Sequence, residues 1–300
     1  MQRTYPCGEG AVKWISTDWL EQNYDEKTMM LLDVQPDVHD YFKRHIPGAV
    51  YFTEGLLRAP LKSSPAHFLP DDLIQAIFRT IGIKQGMAMV VYTGSGAFKG
   101  WGDGLEQTMM AYTLARFGHD SVFVLDGGID KWAMERRPLT QDYPEVHPSD
   151  FKVKVNRDMF IEYDEFCRIK DNDDVLLLDV RPPSFYEGQG PWKKPGHIPG
   201  AVNLPWQNLM DAKNKRLLRY DDELRKMVQE RGVAPEKTMI VSCGTGREAT
   251  NVFLLLKYYF AFPKVKIFEG SFTEWVANDG PTVTGSQPRE TEMAAKEMHG

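Results

Sequence analysis

The residues best able to do chemistry lie in the segment Met239-Ile-Val-Ser-Cys243-Gly-Thr-Gly-Arg-Glu-Ala-Thr250. A short apolar run ends at Cys243, and a loop with two glycines opens onto an apolar stretch, Asn251 to Phe260, that reads as a helix. Strand, glycine loop and helix start aim backbone N–H groups and the positive end of a helix dipole at one point, which suits an anion. A cysteine sulfur held there is expected to favour its thiolate and to act as a nucleophile. Without such a loop, a lone cysteine is a small buried hydrophobe. Gly244, Thr245, Gly246, Arg247, Glu248, Ala249 and Thr250 form the expected cradle.

The elements that must position this segment occur twice. Met89-Val-Val-Tyr-Thr93-Gly94 mirrors Met239-Ile-Val-Ser-Cys243-Gly244 at an offset of 150, and so do Asp71 to Ile83 and Asp221 to Val233. Leu31-Leu-Asp-Val34 mirrors Leu177-Leu-Asp-Val180 at 146, His45-Ile-Pro-Gly-Ala49 mirrors His197-Ile-Pro-Gly-Ala201 at 152, and Val122 to Trp132 mirrors Val265 to Trp275 at 143. The anchors keep their order, so this is a duplicated domain and not a short-period solenoid. β-rich runs at Met29–Val34, Met87–Tyr92 and Ser121–Leu125 alternate with helical patterns at Asp72–Ile81 and Leu105–Phe117. Val175–Val180, Thr238–Ser242 and Val265–Phe268 continue the alternation in the second half. This predicts an α/β fold of two tandem domains, each a mainly parallel sheet with helices on both faces. Cys243 then falls at the carboxyl end of a strand, where such sheets bind ligands. The expected bounds are 8–140 for the first domain, 141–153 for a proline-containing linker, 154–285 for the second domain and 286–300 for a polar tail.

A chain of 300 residues suits two domains. A net charge of −6 gives no reason to expect nucleic acid or an anionic membrane as partner. No run has the apolar length of a membrane-spanning helix, and Met1 to Gly10 lacks the apolar core of a signal peptide. Cys7, Cys167 and Cys243 are odd in number and lack metal-ligand spacing, so no metal or other cofactor is expected. A reducing, cytoplasmic location is.

Paired Leu-Asp-Val and His-Ile-Pro-Gly-Ala motifs, followed by a strand ending in Cys243-Gly-Thr-Gly, resemble the rhodanese family. More narrowly, they resemble its two-domain sulfurtransferases, which act on thiosulfate or 3-mercaptopyruvate. The resemblance runs from about Trp14 to Pro281. It implies that Cys243 takes a sulfane sulfur as a persulfide and passes it to a thiol or cyanide, with a thioredoxin-like reductant as a further partner. Thr93 replaces the cysteine in the first copy, which is therefore expected to be chemically silent. The resemblance places Arg181 on the anionic end of the donor, a role that suits a planar guanidinium fork. It pairs His67, in His-Phe-Leu-Pro, with the hydroxyl of Thr245. Arg247 is a second candidate for anion binding, against a salt bridge to Glu248 or Glu269. For His45 and His197, within the turn motif, a structural role is expected.

Gly244 and Thr245 are uncharged where thiosulfate enzymes of the family often carry basic residues, which favours 3-mercaptopyruvate. Against it, Glu187 stands near where mercaptopyruvate enzymes commonly carry a second arginine, and Thr53-Glu54-Gly55 offers no aspartate to orient His67. Thiosulfate therefore stays open as the donor, and so does a protein-to-protein sulfur relay. A cysteine-dependent phosphatase would need an arginine where Ala249 stands, to bear transition-state charge.

Overall fold

The computed structural model describes residues 3–61, 64–96, 98, 100 and 102–289. Most of the expected tail, from residue 290 onward, lies outside the described residues. In the first half, strands β1 (Val12–Ile15), β2 (Met29–Asp33), β3 (Ala49–Tyr51), β6 (Ala88–Tyr92) and β7 (Val122–Leu125) form a parallel sheet in the order β1-β7-β6-β2-β3. In the second half, β8 (Phe160–Ile161), β9 (Val175–Asp179), β10 (Val202–Asn203), β11 (Thr238–Ser242) and β12 (Val265–Phe268) form another, ordered β10-β9-β11-β12-β8. Read from its other edge, the second order matches the first strand for strand, as a duplication requires. The central strands are near-continuous apolar runs (Met89 to Tyr92, Met239 to Ser242 are buried throughout), the pattern of a parallel sheet covered on both faces.

The copies differ in what they add. The first carries the antiparallel hairpin β4 (Arg58–Leu61) and β5 (Ser64–Phe68), which the second reduces to the single bridge Met210–Leu218, and β5 runs beside α9 (Ser271–Ala277) of the second half. Helix α4 (Leu105–Arg116) is buried at all twelve positions because it lies between its own sheet and α8 (Arg247–Leu254) of the other copy. Its apolar residues join both halves into one continuous core, which includes Met110, Leu114, Phe253 and Leu254. Its polar residues make the seam between the halves. Arg116 pairs with Glu269 at 2.7 Å, Tyr112 donates to Glu269 at 2.6 Å, and Thr250 donates to Thr108 at 3.2 Å. Near the opposite end, Arg3 links Asp126 to Asp221, both at 2.8 Å. No helix among the described residues is long and apolar enough to cross a membrane.

Candidate active site

Cys243 follows directly on the central strand β11, and α8 begins at Arg247. The loop between is held open by Gly246, which has φ 79° and whose place would bring a Cβ to 2.5 Å from the Glu269 carbonyl oxygen. From the neighbouring strand end, Ser271 accepts a hydrogen bond from the Cys243 amide at 3.1 Å, with its hydroxyl 4.0 Å from the sulfur. Ser271 has φ 51°, a strained conformation for a residue with a side chain. At the matching position the first copy has Gly128, which carries no such hydroxyl. Phe272 and Thr273 donate backbone N–H groups to the carbonyls of Cys243 and Gly244. The backbone N–H groups of Thr245 and Ala249 point at the sulfur, which makes the cradle.

The cradle does not set the resting ionisation. Cys243 is fully buried, and this burial pushes its thiol up to about 11, with the Glu248 carboxylate adding to the effect. The Ala249 and Thr245 amides pull the other way and do not outweigh burial and Glu248, to which Asp179 adds a smaller push. The expected low-pKa thiolate is thus reversed: the resting protein holds a neutral thiol and needs a base. Glu248 itself is raised to about 7, by burial first and by Asp179 next, while Trp206 and Arg181 pull it down.

Neither arginine singled out in the sequence is free. Arg181 is fully buried and grips Asp179 through Nε and Nη2, the latter at 2.5 Å, and also donates to the Gly196 carbonyl at 2.9 Å. Its guanidinium lies between Trp192 and Phe272, 4.8 and 4.1 Å from the ring centres. Nη1 alone lacks a partner. The corresponding pair in the first copy is Asp33 with Gln35, so both copies satisfy the same aspartate from two residues on. Arg247 gives all three nitrogens to the first domain: to Glu54 at 2.7 Å, Asp103 at 2.5 Å and Glu106 at 3.1 Å. It is an interdomain clasp, and neither Glu248 nor Glu269 is its partner.

His67 is exposed on β5 and makes no hydrogen bond to Thr245 among the described residues. It lines an interdomain cleft of about 480 Å³ with Arg116, Tyr163, Glu269 and Glu274. Thr245 is half-buried with its hydroxyl unengaged among the described residues, whereas the Thr250 hydroxyl is spent on the Arg247 carbonyl and the seam. His45 and His197 are buried with both ring nitrogens against backbone carbonyls, a shared structural arrangement. Thr93 is buried, with its hydroxyl on the Val34 carbonyl and Glu106, and α4 starts only at Leu105, so the described residues of the first copy form no comparable cradle.

Three residues near the sulfur escaped sequence reading. Ser271 is one. Trp192 is the second: its indole packs where a side chain at Gly244 would lie, 2.7 Å from an added Cβ, and its N–H donates to Thr273 at 2.8 Å. The only trace of it in the sequence is the six-residue rise in offset, from 146 to 152, ahead of the second His-Ile-Pro-Gly-Ala. The third is Arg58, whose Nη1 reaches from β4 to the Thr245 carbonyl at 2.9 Å. No signal in a single sequence marks it.

Comparison with known proteins agrees with this architecture. The rhodanese-like domain model matches residues 16–135 and again 162–278. A putative thiosulfate sulfurtransferase of Synechococcus elongatus is 31% identical over 287 residues, covering 93% of this chain and 87% of that protein. A 3-mercaptopyruvate sulfurtransferase of Escherichia coli is 28% identical over 281 residues, covering 88% and 95%. The anaerobic ergothioneine biosynthesis enzyme from Chlorobium limicola superposes with a TM-score of 0.78 at 20% identity, over 91% of this chain and 70% of that one, which speaks for the fold alone. With two matched domains and full-length sulfurtransferase relatives, the chain belongs to the rhodanese family as a two-domain sulfurtransferase.

Proposed function

We propose that the enzyme takes its sulfur from 3-mercaptopyruvate onto Cys243 and passes it to a thiol or cyanide. The Cys243 thiolate attacks the donor sulfur, an S–S bond forms and the donor C–S bond breaks. The electron pair leaves on carbon as the enolate of pyruvate, which takes a proton. A Cys243 persulfide remains. Attack by an acceptor thiolate or by cyanide on the outer sulfur returns the Cys243 thiolate. The amides of Thr245 and Ala249 are placed to hold the charge on sulfur in both steps.

The observation that carries the donor reading is that, among the described residues of its own domain, no unpaired cation lies beside the attacked sulfur, while Glu248 and Asp179 put carboxylates near it. Gly244 lies under the Trp192 indole, and Arg181 and Arg247 are both occupied by carboxylates. A compact dianion such as thiosulfate is poorly served there, whereas a donor with a more distant carboxylate and an enolate leaving group is not. Glu248 supports the proton transfers, since a carboxyl near 7 can accept the thiol proton and return it to the enolate. The Thr245 hydroxyl remains available to the enolate oxygen. His67, facing a separate cleft, contributes least to this reading.

Intact-mass spectrometry after incubation with each donor is the direct test. One added sulfur is expected on the wild type and none on Cys243→Ser, and a full load on Cys7 or Cys167 would overturn the assignment. Side-by-side kcat/KM values should favour 3-mercaptopyruvate. A clear preference for thiosulfate would reject the donor reading and leave the transferase intact.

A further inference from the structure

The nucleophile lies in the second domain, and both arginines of that domain near it are paired in charge, with only the Nη1 of Arg181 left without a partner. Arg181 is neutralised by Asp179 and Arg247 by three carboxylates. The positive charge that remains beside the cradle comes from the chemically silent domain. Arg58 stands at the first position of the β4–β5 hairpin, where the second copy has only the single antiparallel bridge Met210–Leu218, and its Nη1 is anchored on the Thr245 carbonyl. Phe68 flanks the guanidinium, 6.0 Å from its ring centre. Glu54 is the leading acid influence on Arg58, but its carboxylate is committed to Arg247. Among the described residues, no carboxylate lies within ion-pair distance of Arg58, and its Nε and Nη2 make no hydrogen bond. A half-buried guanidinium with one edge pinned to the catalytic loop and the other edge open is an incomplete ion pair. The sulfur of Cys243 lies within its electrostatic reach.

We propose that Arg58 is the residue that binds the anionic end of the donor, reaching across from the first domain to the nucleophile of the second. The proposal rests on the transferase reading and names the recognition element of that site. In either candidate donor, the anionic group departs with the leaving fragment. Attack by Cys243 releases pyruvate enolate with its carboxylate, or sulfite with its sulfonate oxygens, and Arg58 holds that fragment while the outer sulfur stays on cysteine. The free edge offers two N–H groups side by side, which suits a planar carboxylate better than a lysine ammonium would. The hairpin thereby explains why a domain without a nucleophile is needed in a sulfur-transfer site.

The test compares wild type, Arg58→Met and Arg58→Lys in two assays. Steady-state kinetics with 3-mercaptopyruvate and with thiosulfate should show KM raised about ten- to hundredfold in Arg58→Met, the usual weight of a charge-assisted hydrogen bond, with kcat changed far less. Arg58→Lys should recover part of the loss. Alkylation of Cys243 by iodoacetate and by iodoacetamide isolates charge recognition from chemistry, because the two reagents differ by a carboxylate. Any change in the thiol's own ionisation cancels in their ratio. The iodoacetate-to-iodoacetamide rate ratio should fall about tenfold in Arg58→Met. An unchanged ratio, or KM values equal to wild type, would overturn the proposal. A fallen ratio in a protein whose Cys243 takes sulfur from neither donor would leave the anion site standing and reject the transferase reading beneath it.

Discussion

Replacing Arg181 by methionine should cost stability before it costs substrate binding. The side chain is fully buried and its fork closes on Asp179, so the variant leaves a carboxylate in the core without a cation. The first domain shows what such a carboxylate does. Asp33 is equally buried and has Gln35 in place of an arginine, and burial raises it from its ordinary 3.8 to about 6. That gap corresponds to about 3 kcal/mol, at about 1.4 kcal/mol per pH unit. In Arg181→Met, Asp179 acquires a folded-state pKa above its unfolded one. The variant is then nearly as stable as wild type below pH 4 and loses stability as pH rises through about 6, with the full deficit of about 3 kcal/mol above pH 7. Urea unfolding at pH 4, 6 and 8 reads this directly. The double variant Asp179→Asn/Arg181→Met should lose the pH-dependent part of the deficit, since no charge remains to be stranded. An unchanged unfolding midpoint at pH 8, together with a large rise in donor KM, would refute this reasoning and return Arg181 to donor binding.

Other consequences follow from the same geometry. Alkylation of Cys243 by iodoacetamide should be slow at pH 7 and rise towards an inflection near 11, and Glu248→Gln should move that inflection down by removing the leading carboxylate; fast alkylation at neutral pH would contradict the dominance of burial. Glu248→Gln should also lower kcat about 100-fold and abolish the rising limb of the pH–rate profile near 7, whereas a profile identical to wild type would exclude Glu248 from proton transfer. Arg247→Met should destabilise the protein by about 2–4 kcal/mol, less than a wholly buried cluster because Asp103 is washed by solvent, and should lower kcat/KM for both donors alike. Gly244→Ala should displace Trp192, seen as a shift in tryptophan emission, with loss of activity towards every donor.

The alternation of β-rich and helical runs, the repeat and the cysteine at a strand end were all legible because they rest on local pattern. Thr238–Ser242 and Val265–Phe268 have the bounds the sequence suggested, and Leu105–Phe117 differs by one residue. The ionisation of Cys243 was not legible. It depends on complete burial and on Glu248 and Asp179, which one strand and one helix start bring together from 69 residues apart. The partners of Arg247 were hidden for the same reason, since Glu54, Asp103 and Glu106 lie in the other copy. A motif shows where a guanidinium sits along the chain and says nothing about which acids fold around it. Arg58 was the least visible, because Met210 stands at its place in the second half and nothing local in the sequence ties it to the Thr245 carbonyl.

Arg247 opens the helix behind Cys243, and its ion pairs end on three acids of the other copy. The reactive loop is therefore cast in a mould that the second domain does not supply. A duplicated domain with Thr93 where its twin has Cys243 would ordinarily be free to drift or be discarded. Here a change at Glu54 or Glu106 would be felt one turn of helix away from the sulfur. The first half persists as tooling for the second, and the smallest heritable unit of this loop is the pair.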